Sequence, residues 1–403
     1  MKILVLNCGS SSVKYQVLNM ENENILAKGL AERIGLENSR IVHQFNNNKK
    51  IINIDLPNHK KAIEIILNLL IDKENGVLES LREIDAIGHR VVHGGETFFE
   101  STLVDEDTYK KLKECENLAP LHNPYHIQGV DACLSLLPDV PQVLVFDTSF
   151  HQTIPREAYL YALPYEWYEK YKIRRYGFHG TSHLYVSRRV AELMGRPVED
   201  LKIITCHLGN GASITAIKNG KSIDTSMGYT PLEGLVMGTR CGDIDPAIPL
   251  IIMDKEKISP KEMDNILNKK SGILGISGIS NDFRDVEECA EKGDPKAKLA
   301  LQIFAYRVKK YIGAYYAILG GLDALVFTAG VGERSPIIRR MVCENMEHLG
   351  IKIDIDKNEV KGEERKISTE DSKVQVWIIP TNEELMIARE TVKLINKLNI
   401  QRR

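Results

Sequence analysis

The sequence predicts an α/β protein built from two related domains, and three observations support this. A strand, a glycine-containing turn and a returning strand occur at 2–19 and again, with the same spacing, at 202–219. Strand and helix patterns alternate along the rest of the chain. The chain has 403 residues, which is enough for two domains of ordinary size, each with its own core.

The two copies of the strand–turn–strand pattern align without a gap. Lys2, Ile3, Gly9 and Asn19 correspond to Lys202, Ile203, Gly209 and Asn219. Turns of glycine and small residues expose backbone N–H groups and therefore suit phosphate oxygens. A repeat with a period of one domain indicates duplication. We expect the two turns to hold a polyphosphate across a cleft. This layout resembles the actin, Hsp70 and sugar kinase superfamily, whose domains are ribonuclease H-like.

Hydrophobic periodicity gives the coarse organisation. The first half contains a helix at 59–71, buried strands at 84–92 and 142–146, and an irregular stretch at 151–178. The second half contains an extended loop at 225–249, a helical region at 258–320, a strand at 323–328, a glycine turn at Gly330-Val331-Gly332 and a strand at 374–379. We expect a final helix, capped by Thr381 or Asn382, to return to the first domain. The domains are then 1–150 with 384–403, and 151–383.

Composition excludes several classes of function. The net charge is −2 and the pI is about 6.6, so no strong field attracts nucleic acid or an anionic membrane. The seven cysteines are odd in number and form no C-x-x-C pair, which indicates free thiols in a reducing cytosol. Only four consecutive apolar residues precede Asn7, so we expect neither a signal peptide nor a membrane span.

Polar clusters follow the predicted strands. They are His89–Gly95, Leu121–Pro124, Phe146–His151, Tyr176–His183 and the long segment Asp224–Pro246. The carboxyl ends of strands are where open α/β sheets bind ligands. Taken together, these glycine, hydroxyl, arginine and histidine residues suit an anion with several oxygens.

Two segments make the resemblance specific. Asn7-Cys8-Gly9-Ser10-Ser11-Ser12-Val13-Lys14 and Asp224–Pro246 are similar to the two signatures of the acetate kinase family, and the other clusters match over essentially the whole chain. The resemblance implies reversible, direct in-line phosphoryl transfer between ATP and acetate, giving acetyl phosphate and ADP. It also implies Mg²⁺, with Mn²⁺ as an alternative, and a cytoplasmic homodimer.

The resemblance further implies a role for each matching residue. Asn7 and Glu383 match the metal site. Asp147, His179, Arg240, Arg90 and His122 match catalytic positions, and Arg90 also matches the site of the substrate carboxylate. Val92, Leu121, Phe178 and Pro231 match the apolar pocket for the acetate methyl group. The nucleotide-binding positions are Ser10, Ser12, Lys14, His207, Leu208, Gly209, Asn210, Gly211, Asp282, Phe283, Arg284, Gly330, Val331, Gly332, Glu333 and Arg334.

The chemistry of acetate supports these roles independently. Acetate is already ionised at pH 7, so its attack on the γ-phosphate needs no general base. Asp147 is therefore better interpreted as an organiser of metal or water than as a proton acceptor. Two anions must approach each other, and Arg90, Arg240, His179 and Mg²⁺ would offset their repulsion. A structural interpretation also stays open, in which His122, His151 and His183 are hydrogen-bonded loop residues and the apolar positions are core.

Two departures from the family pattern leave alternatives open. Arg334 stands where the family usually has Asn, and Cys241 replaces a commoner Ser. Arg334 would lie at the edge of the adenine pocket, so it affects which nucleotide base is bound and which phosphoryl donor is used. A pyrophosphate-dependent enzyme is therefore one alternative. A propionate or butyrate kinase is another, because pockets discriminate weakly per carbon. An Hsp70-like ATPase would need a peptide-binding appendage, for which the chain has no spare domain.

Overall fold

A computed structural model describes residues 1–120 and 122–401 of the chain. The chain divides into two compact units. The first comprises Met1–Phe150 together with the C-terminal segment from Asn382, and the second is His151–Thr381. Each unit is built on its own mixed sheet.

The sheet of the first unit has the order β5-β4-β3-β2-β1-β6-β8-β7. Its strands are β1 (Lys2–Gly9), β2 (Ser12–Asn19), β3 (Asn24–Glu32), β4 (Arg40–Phe45), β5 (Asn48–Asn53), β6 (Ala86–Val91), β7 (Thr102–Leu103) and β8 (Gln142–Phe146). Strands β1 to β5 form an antiparallel meander. On the other side β1, β6 and β8 run parallel, and β7 pairs antiparallel with β8.

Helices α1 (His59–Leu70), α2 (Glu106–Glu114), α3 (Asn123–Leu136) and the C-terminal helix (Glu383–Gln401) complete the first unit. The side chain of Asn58 caps α1 by accepting from the Lys61 amide, and Ile63, Ile66 and Leu70 on one face are buried. The C-terminal helix packs against β1, β6 and β8. Gly88 of β6 permits this approach, because a Cβ there would lie 2.6 Å from Thr391 Oγ1 and 2.7 Å from Ile387 Cγ2.

The sheet of the second unit has the order β11-β10-β9-β12-β14-β13. Its strands are β9 (Lys202–Leu208), β10 (Ala212–Lys218), β11 (Lys221–Thr225), β12 (Ala324–Thr328), β13 (Arg365–Lys366) and β14 (Gln375–Ile378). Strands β9 and β10 form an antiparallel hairpin, and β9, β12 and β14 run parallel. The sequence of β12 is apolar and every residue in it is buried up to Thr328, as expected for a strand covered on both faces.

The helices of the second unit cover this sheet and form the segments between strands. They are α4 (Arg156–Tyr159), α5 (Tyr165–Tyr171), α6 (Gly180–Met194), α7 (Ala247–Glu256), α8 (Pro260–Lys269), α9 (Gly272–Ser277), α10 (Phe283–Glu291), α11 (Pro295–Leu319), α12 (Ala329–Arg334), α13 (Pro336–Cys343) and α14 (Ile355–Asn358). Helix α11 packs on β9 and β10, whereas α6 packs on β9 and β12.

The duplication predicted from the sequence is confirmed in the strand order. The series β3-β2-β1-β6-β8 of the first sheet matches β11-β10-β9-β12-β14 of the second in order and in direction. In both sheets, parallel strands extend an antiparallel hairpin. Each parallel strand is joined to the one before it by a long crossover connection. The predicted α/β class is also confirmed.

Two local expectations differ from the structure, those for residues 330–332 and for the loop after β11. Strand β1 extends beyond the apolar residues that precede Asn7 and continues to Gly9, which pairs with Ser12, because hairpin pairing gives these residues backbone partners. Residues 330–332 lie within the short helix α12 rather than in a turn. The loop after β11 is shorter than predicted, because α7 begins at Ala247. In the described residues, no helix combines the length and apolarity needed to cross a membrane.

Candidate active site

Polar side chains of the first unit meet where parallel strands end. Asn7 lies near the carboxyl end of β1, Arg90 near that of β6, and Asp147 directly after β8. The parallel register aligns these ends, since Val91 is opposite Phe146 and the Asp147 amide donates to the Val91 carbonyl over 2.9 Å. The carboxyl edge of the sheet therefore carries a cation, a carboxylate and an amide side by side.

Arg90 and Asp147 form a two-pronged ion pair. Arg90 Nε donates to Asp147 Oδ1 over 3.1 Å and Nη2 donates to Oδ2 over 2.7 Å, while Nη1 lies 3.5 Å from Asn7 Oδ1. Burial disfavours the charged guanidinium, but Asp147, Glu383 and Glu384 outweigh burial and raise the pKa of Arg90. A guanidinium has five N–H donors, so Arg90 can hold Asp147 and still donate to a second carboxylate.

Carboxylates gather around this ion pair from the C-terminal helix. Glu384 pairs with Lys14 of β2, so one acid there is neutralised. Burial first, and then repulsion from Asp147 and Glu384, raise the pKa of Glu383 despite the attraction of Arg90 and Lys14. The excess negative charge favours a bound cation.

The donor set fits a hard divalent ion such as Mg²⁺. Asn7, Asp147 and Glu383 offer oxygen atoms only, and Mg²⁺ is typically held by one or two protein carboxylates together with substrate phosphates. In keeping with that mode, residues 1–120 and 122–401 contain no group of three His, Cys, Asp or Glu side chains placed to hold a metal by themselves.

The other candidates of the first unit are dispersed. Val92 is buried directly after β6, His122 is an exposed residue at the start of α3, and Leu121 lies outside the described residues. Ser10 forms the tip of the β1–β2 hairpin with Ser11, and Ser12 begins β2.

A set of histidines occupies the corresponding region of the second unit. The rings of His179 and His207 stack with their centroids 4.0 Å apart. His179 Nδ1 lies 2.8 Å from Ser213 Oγ, and His183 Nε2 lies 2.8 Å from the same oxygen. His207 Nδ1 lies 2.8 Å from Ser182 Oγ. Hydroxyl groups from β10 and α6 thus orient the histidine rings.

The backbone of His179 is held in an unusual conformation. It has φ 56° and ψ 22° and immediately precedes α6, a left-handed geometry that costs free energy in a residue with a side chain. The Phe178 carbonyl accepts a hydrogen bond from His151 Nε2 over 2.9 Å, which fixes the peptide before His179. Phe178 is itself buried. Residues held in this way are over-represented at functional sites.

Arg240 is a partly buried cation without a counter-ion. Its Nη1 donates to the Pro231 carbonyl over 3.1 Å and lies 3.6 Å from Met237 Sδ, and within the described residues it forms no ion pair. Burial lowers its pKa. A Cβ on Gly211 would lie 3.6 Å from both Arg240 Nη1 and the His179 ring. The glycine turn, Arg240 and His179 therefore converge on one place suited to an anion.

The predicted nucleotide-binding segments lie around this turn. Gly238 donates from its amide to the Asn210 carbonyl over 2.9 Å, and Asn281 Nδ2 donates to Asn210 Oδ1 over 3.2 Å. Gly332 packs on β9, since a Cβ there would lie 3.5 Å from the Cys206 carbonyl oxygen and 3.7 Å from Leu208. Segments 207–211, 281–284 and 330–334 are thus neighbours.

Individual side chains in these segments have local partners. Asp282 caps α10 by accepting from the Arg284 amide, and the Arg284 side chain, together with that amide, lowers the pKa of Asp282 to about 2. Phe283 packs edge-on against Phe304. Glu333 Oε1 accepts from the Thr381 amide over 3.1 Å, and the exposed Arg334 lies beside Gly362.

Comparison with known proteins identifies the chain's family. Residues 2–389 match the model of the acetokinase family. The chain belongs to the acetokinase family. This membership confirms the family and the class of enzyme that the sequence predicted, a kinase whose acceptor is a carboxylate.

Relatives resemble the chain over its full length. An acetate kinase of Dictyoglomus turgidum is 75% identical over 100% of both chains. The crystal structure of Porphyromonas gingivalis acetate kinase has a TM-score of 0.95 at 49% identity and covers 98% of this chain and 99% of its own. A propionate kinase from Francisella tularensis has a TM-score of 0.91 at 47% identity, covering 97% and 99%. The fold is therefore that of acetokinases.

Several residues that shape the site were missed from the sequence. Ser213, Thr205 and Ser182 are hydroxyl partners of the histidines, and Glu384 neutralises Lys14. The sequence does contain one indication of these partners, because Thr205 and Ser213 are polar residues within otherwise apolar strands, and both are buried. A buried polar side chain requires a hydrogen-bonding partner, although the sequence does not name it.

We predict that Glu383→Gln stabilises the protein at pH 8.5 but not at pH 5. A carboxyl whose pKa is raised contributes stability below its unfolded pKa and loses it as the pH rises through the folded value, here about 7. Glutamine mimics the neutral acid at every pH, so the gain at pH 8.5 should be about 1–3 kcal/mol. Urea unfolding with a metal chelator present measures this difference.

The matched control is Glu37→Gln, which removes an exposed carboxylate in the same unit. This control substitution should change the free energy of unfolding only slightly, and by the same amount at pH 5 and pH 8.5. An identical effect of Glu383→Gln at pH 5 and pH 8.5 would show that the Glu383 carboxylate is not destabilised by its surroundings.

Proposed function

We propose that the protein transfers a phosphoryl group reversibly between ATP and acetate, giving acetyl phosphate and ADP. Arg240 carries this proposal: it is a partly buried cation that forms no ion pair with any residue the structure describes, and it lies next to the Gly211 turn and His179. Such a group is suited to a phosphoryl group in transfer. Membership of the acetokinase family supports the same reaction.

We assign the phosphoryl group to the second unit. The turn Gly209–Gly211 has glycines on both sides of Asn210, and Arg240 and His179 converge beside Gly211. Charge develops on the equatorial oxygens of the transferring group, and donors fixed in advance stabilise it without reorganisation. Asp282, Phe283 and Arg284 with Gly330–Arg334 would bind the rest of the nucleotide, and Ser10, Ser12 and Lys14 would serve the phosphates from the first unit.

We assign the acetate carboxylate to Arg90. Asp147 occupies Nε and Nη2 of the guanidinium and so fixes its plane, which leaves N–H donors for a substrate. Both carboxylate oxygens of Asp147 are engaged by the guanidinium. Acetate needs no general base, since it is ionised at neutral pH. Asn7 and Glu383 would hold Mg²⁺, or Mn²⁺ as an alternative, which when bound offsets phosphate charge.

We propose that Val92, Leu121, Phe178 and Pro231 receive the methyl group of acetate. Phe178 immediately precedes His179, and the Pro231 carbonyl is bound by Arg240. A second candidate substrate is propionate, because a propionate kinase matches the structure at 47% identity. One methylene in an apolar pocket is worth about 1–3 kcal/mol, so the two acids are expected to differ in kcat/KM rather than one being inactive. Arg334 keeps pyrophosphate open as an alternative donor.

We also propose that the protein acts as a cytoplasmic homodimer. All seven cysteines are free thiols in the structure, which suits a reducing compartment. Helix α7 is apolar in sequence, yet none of its residues is buried; Leu250 is 68% exposed and Ile251 is 49% exposed. An apolar helix left uncovered favours association with a second copy.

The proposed reaction predicts acyl phosphate formation from ATP and Mg²⁺, trapped with hydroxylamine as the hydroxamate. We expect saturable product with acetate and a kcat/KM that falls from acetate to propionate to butyrate, by about 10–200-fold per carbon. Pyrophosphate should not replace ATP. Absence of product with every acid, despite ATP binding, would refute the proposed function.

Arg240→Ala should lower kcat by about 10³-fold or more, because an arginine that serves the transferring phosphoryl group is typically worth that factor. The matched control is Arg196→Ala, which removes a surface arginine paired with Asp323 in the same unit and should leave kcat unchanged. Near-normal turnover by a folded Arg240→Ala protein would contradict the role given to Arg240.

Leu250→Asp should convert the dimer to monomers at micromolar concentration, since it places a charge in the apolar face of α7. Sedimentation velocity measures the change. Leu36→Asp, at a residue that is 54% exposed in the first unit, should leave the dimer intact. A monomeric wild-type protein would refute the dimer, and a dimeric Leu250→Asp variant would place its interface elsewhere.

A further inference from the structure

A line of hydrogen bonds runs from the interior of the second sheet to His179. Thr205 Oγ1 lies 2.7 Å from His183 Nδ1, His183 Nε2 lies 2.8 Å from Ser213 Oγ, and Ser213 Oγ lies 2.8 Å from His179 Nδ1. Thr205, His183 and Ser213 have no exposed surface. Water therefore does not supply partners along this line.

The direction of the line follows from counting hydrogens. Burial lowers the pKa of His183 well below its ordinary value, so at neutral pH its ring carries a single hydrogen. Each hydroxyl has one hydrogen to donate. Only two orders, meaning arrangements of the hydrogens, place one hydrogen in each of the three hydrogen-bonded pairs. In one order each group donates towards His179, and in the other each group donates away from His179.

The two orders differ in what happens to Thr205. Among the described residues, the only partner of its hydroxyl is His183 Nδ1. If the line runs towards His179, Thr205 donates to Nδ1 and every hydrogen has an acceptor. If the line runs away from His179, His183 donates to Thr205 and the buried hydroxyl hydrogen has none. An unsatisfied buried donor disfavours that order by roughly 5- to 150-fold.

We propose that Thr205, acting through His183 and Ser213, fixes His179 as the tautomer with its hydrogen on Nε2. Ser213 then donates to His179 Nδ1, and His183 donates to Ser213. Thr205, His183 and Ser213 are positioning residues, since none of them contacts the place where the glycine turn meets Arg240. This inference rests on the proposed function only in its consequence for catalysis.

The tautomer matters because of where each ring nitrogen lies. Nδ1 of His179 faces Ser213, whereas Nε2 and Cε1 each lie 3.6 Å from the Cβ position of Gly211. With the hydrogen on Nε2, the ring presents a donor towards the glycine turn. The other neutral tautomer would present a lone pair there and would repel a phosphoryl oxygen.

The first test is spectroscopic and uses the full protein without substrates. Histidine labelled with ¹⁵N reports directly which ring nitrogen carries the hydrogen, and His179→Asn identifies the signals of His179 among the 11 histidines. At pH 7.5 we expect a protonated Nε2 and an unprotonated Nδ1. A hydrogen on Nδ1 of His179 would overturn the proposal, even if the protein is an active kinase.

The second test removes the hydroxyl that sets the direction. In Thr205→Val neither order keeps its advantage, so His179 should populate both tautomers about equally and kcat should fall about twofold, in proportion to the lost Nε2–H form, with KM unchanged. Thr205→Ser restores the hydroxyl and should restore both readouts. Unchanged His179 signals and unchanged kcat in a folded Thr205→Val protein would overturn the proposal.

Thr215→Val is the matched control. Thr215 lies two residues beyond Ser213 on β10, is equally buried, and bonds Thr225 rather than a histidine, with its oxygen 2.9 Å from Thr225 Oγ1. Its removal should leave the His179 signals and kcat unchanged. A shift of the His179 signals in Thr215→Val as large as in Thr205→Val would assign the effect to general loosening of the β9–β10 hairpin and overturn the proposal. The hydroxamate assay of wild-type protein tests the reaction separately.

Discussion

The parallel pairing of β1 with β6 and β8, and of β9 with β12 and β14, is the constraint on which both parts of the candidate site depend. Parallel strands end at one edge, so residues far apart in sequence leave the sheet together. In the first unit that edge gathers Asn7, Arg90 and Asp147. In the second it gathers His207 and the short helix α12. The duplicated hairpins place a turn of small residues at each edge.

The two units carry opposite imbalances of charge. The first has more carboxylates than cations around Arg90, so the charged form of Glu383 is disfavoured. In the second, no carboxylate among the described residues pairs with Arg240. Both arrangements cost stability, and proteins accept such costs where ligands supply the missing charge. The first unit is suited to a cation and the second to an anion.

Much of the fold could be predicted because strands covered on both faces have apolar sequences with clear ends. The apolar sequences of β8 and β12 predict both strands. The repeated strand–turn–strand pattern predicts that the domain is duplicated. Helix α12 was mistaken for a turn because its glycines disfavour helix in isolation, whereas packing on β9 supports it here. Short-range patterns do not report such tertiary support.

The site could be predicted less completely. Strand ends and family signatures located Arg90, Asp147 and His179, and the structure brings Arg240 and His179 to one turn. The hydroxyl partners were not predictable, because Thr205, His183 and Ser213 belong to three different elements. Which of them meet depends on the packing of α6 against β9. The role of each residue in the reaction stays a prediction.

The C-terminal helix packs on β1, β6 and β8, so two segments that lie on either side of the second unit along the chain belong to one unit. That unit is therefore incomplete until the whole of the second unit has been synthesised, whereas the second is continuous and can fold as it emerges. The nascent sheet of the first unit must meanwhile leave the face around Gly88 uncovered. The order of synthesis thus makes the second unit the early folding unit, and completion of the first follows synthesis of the segment after Thr381.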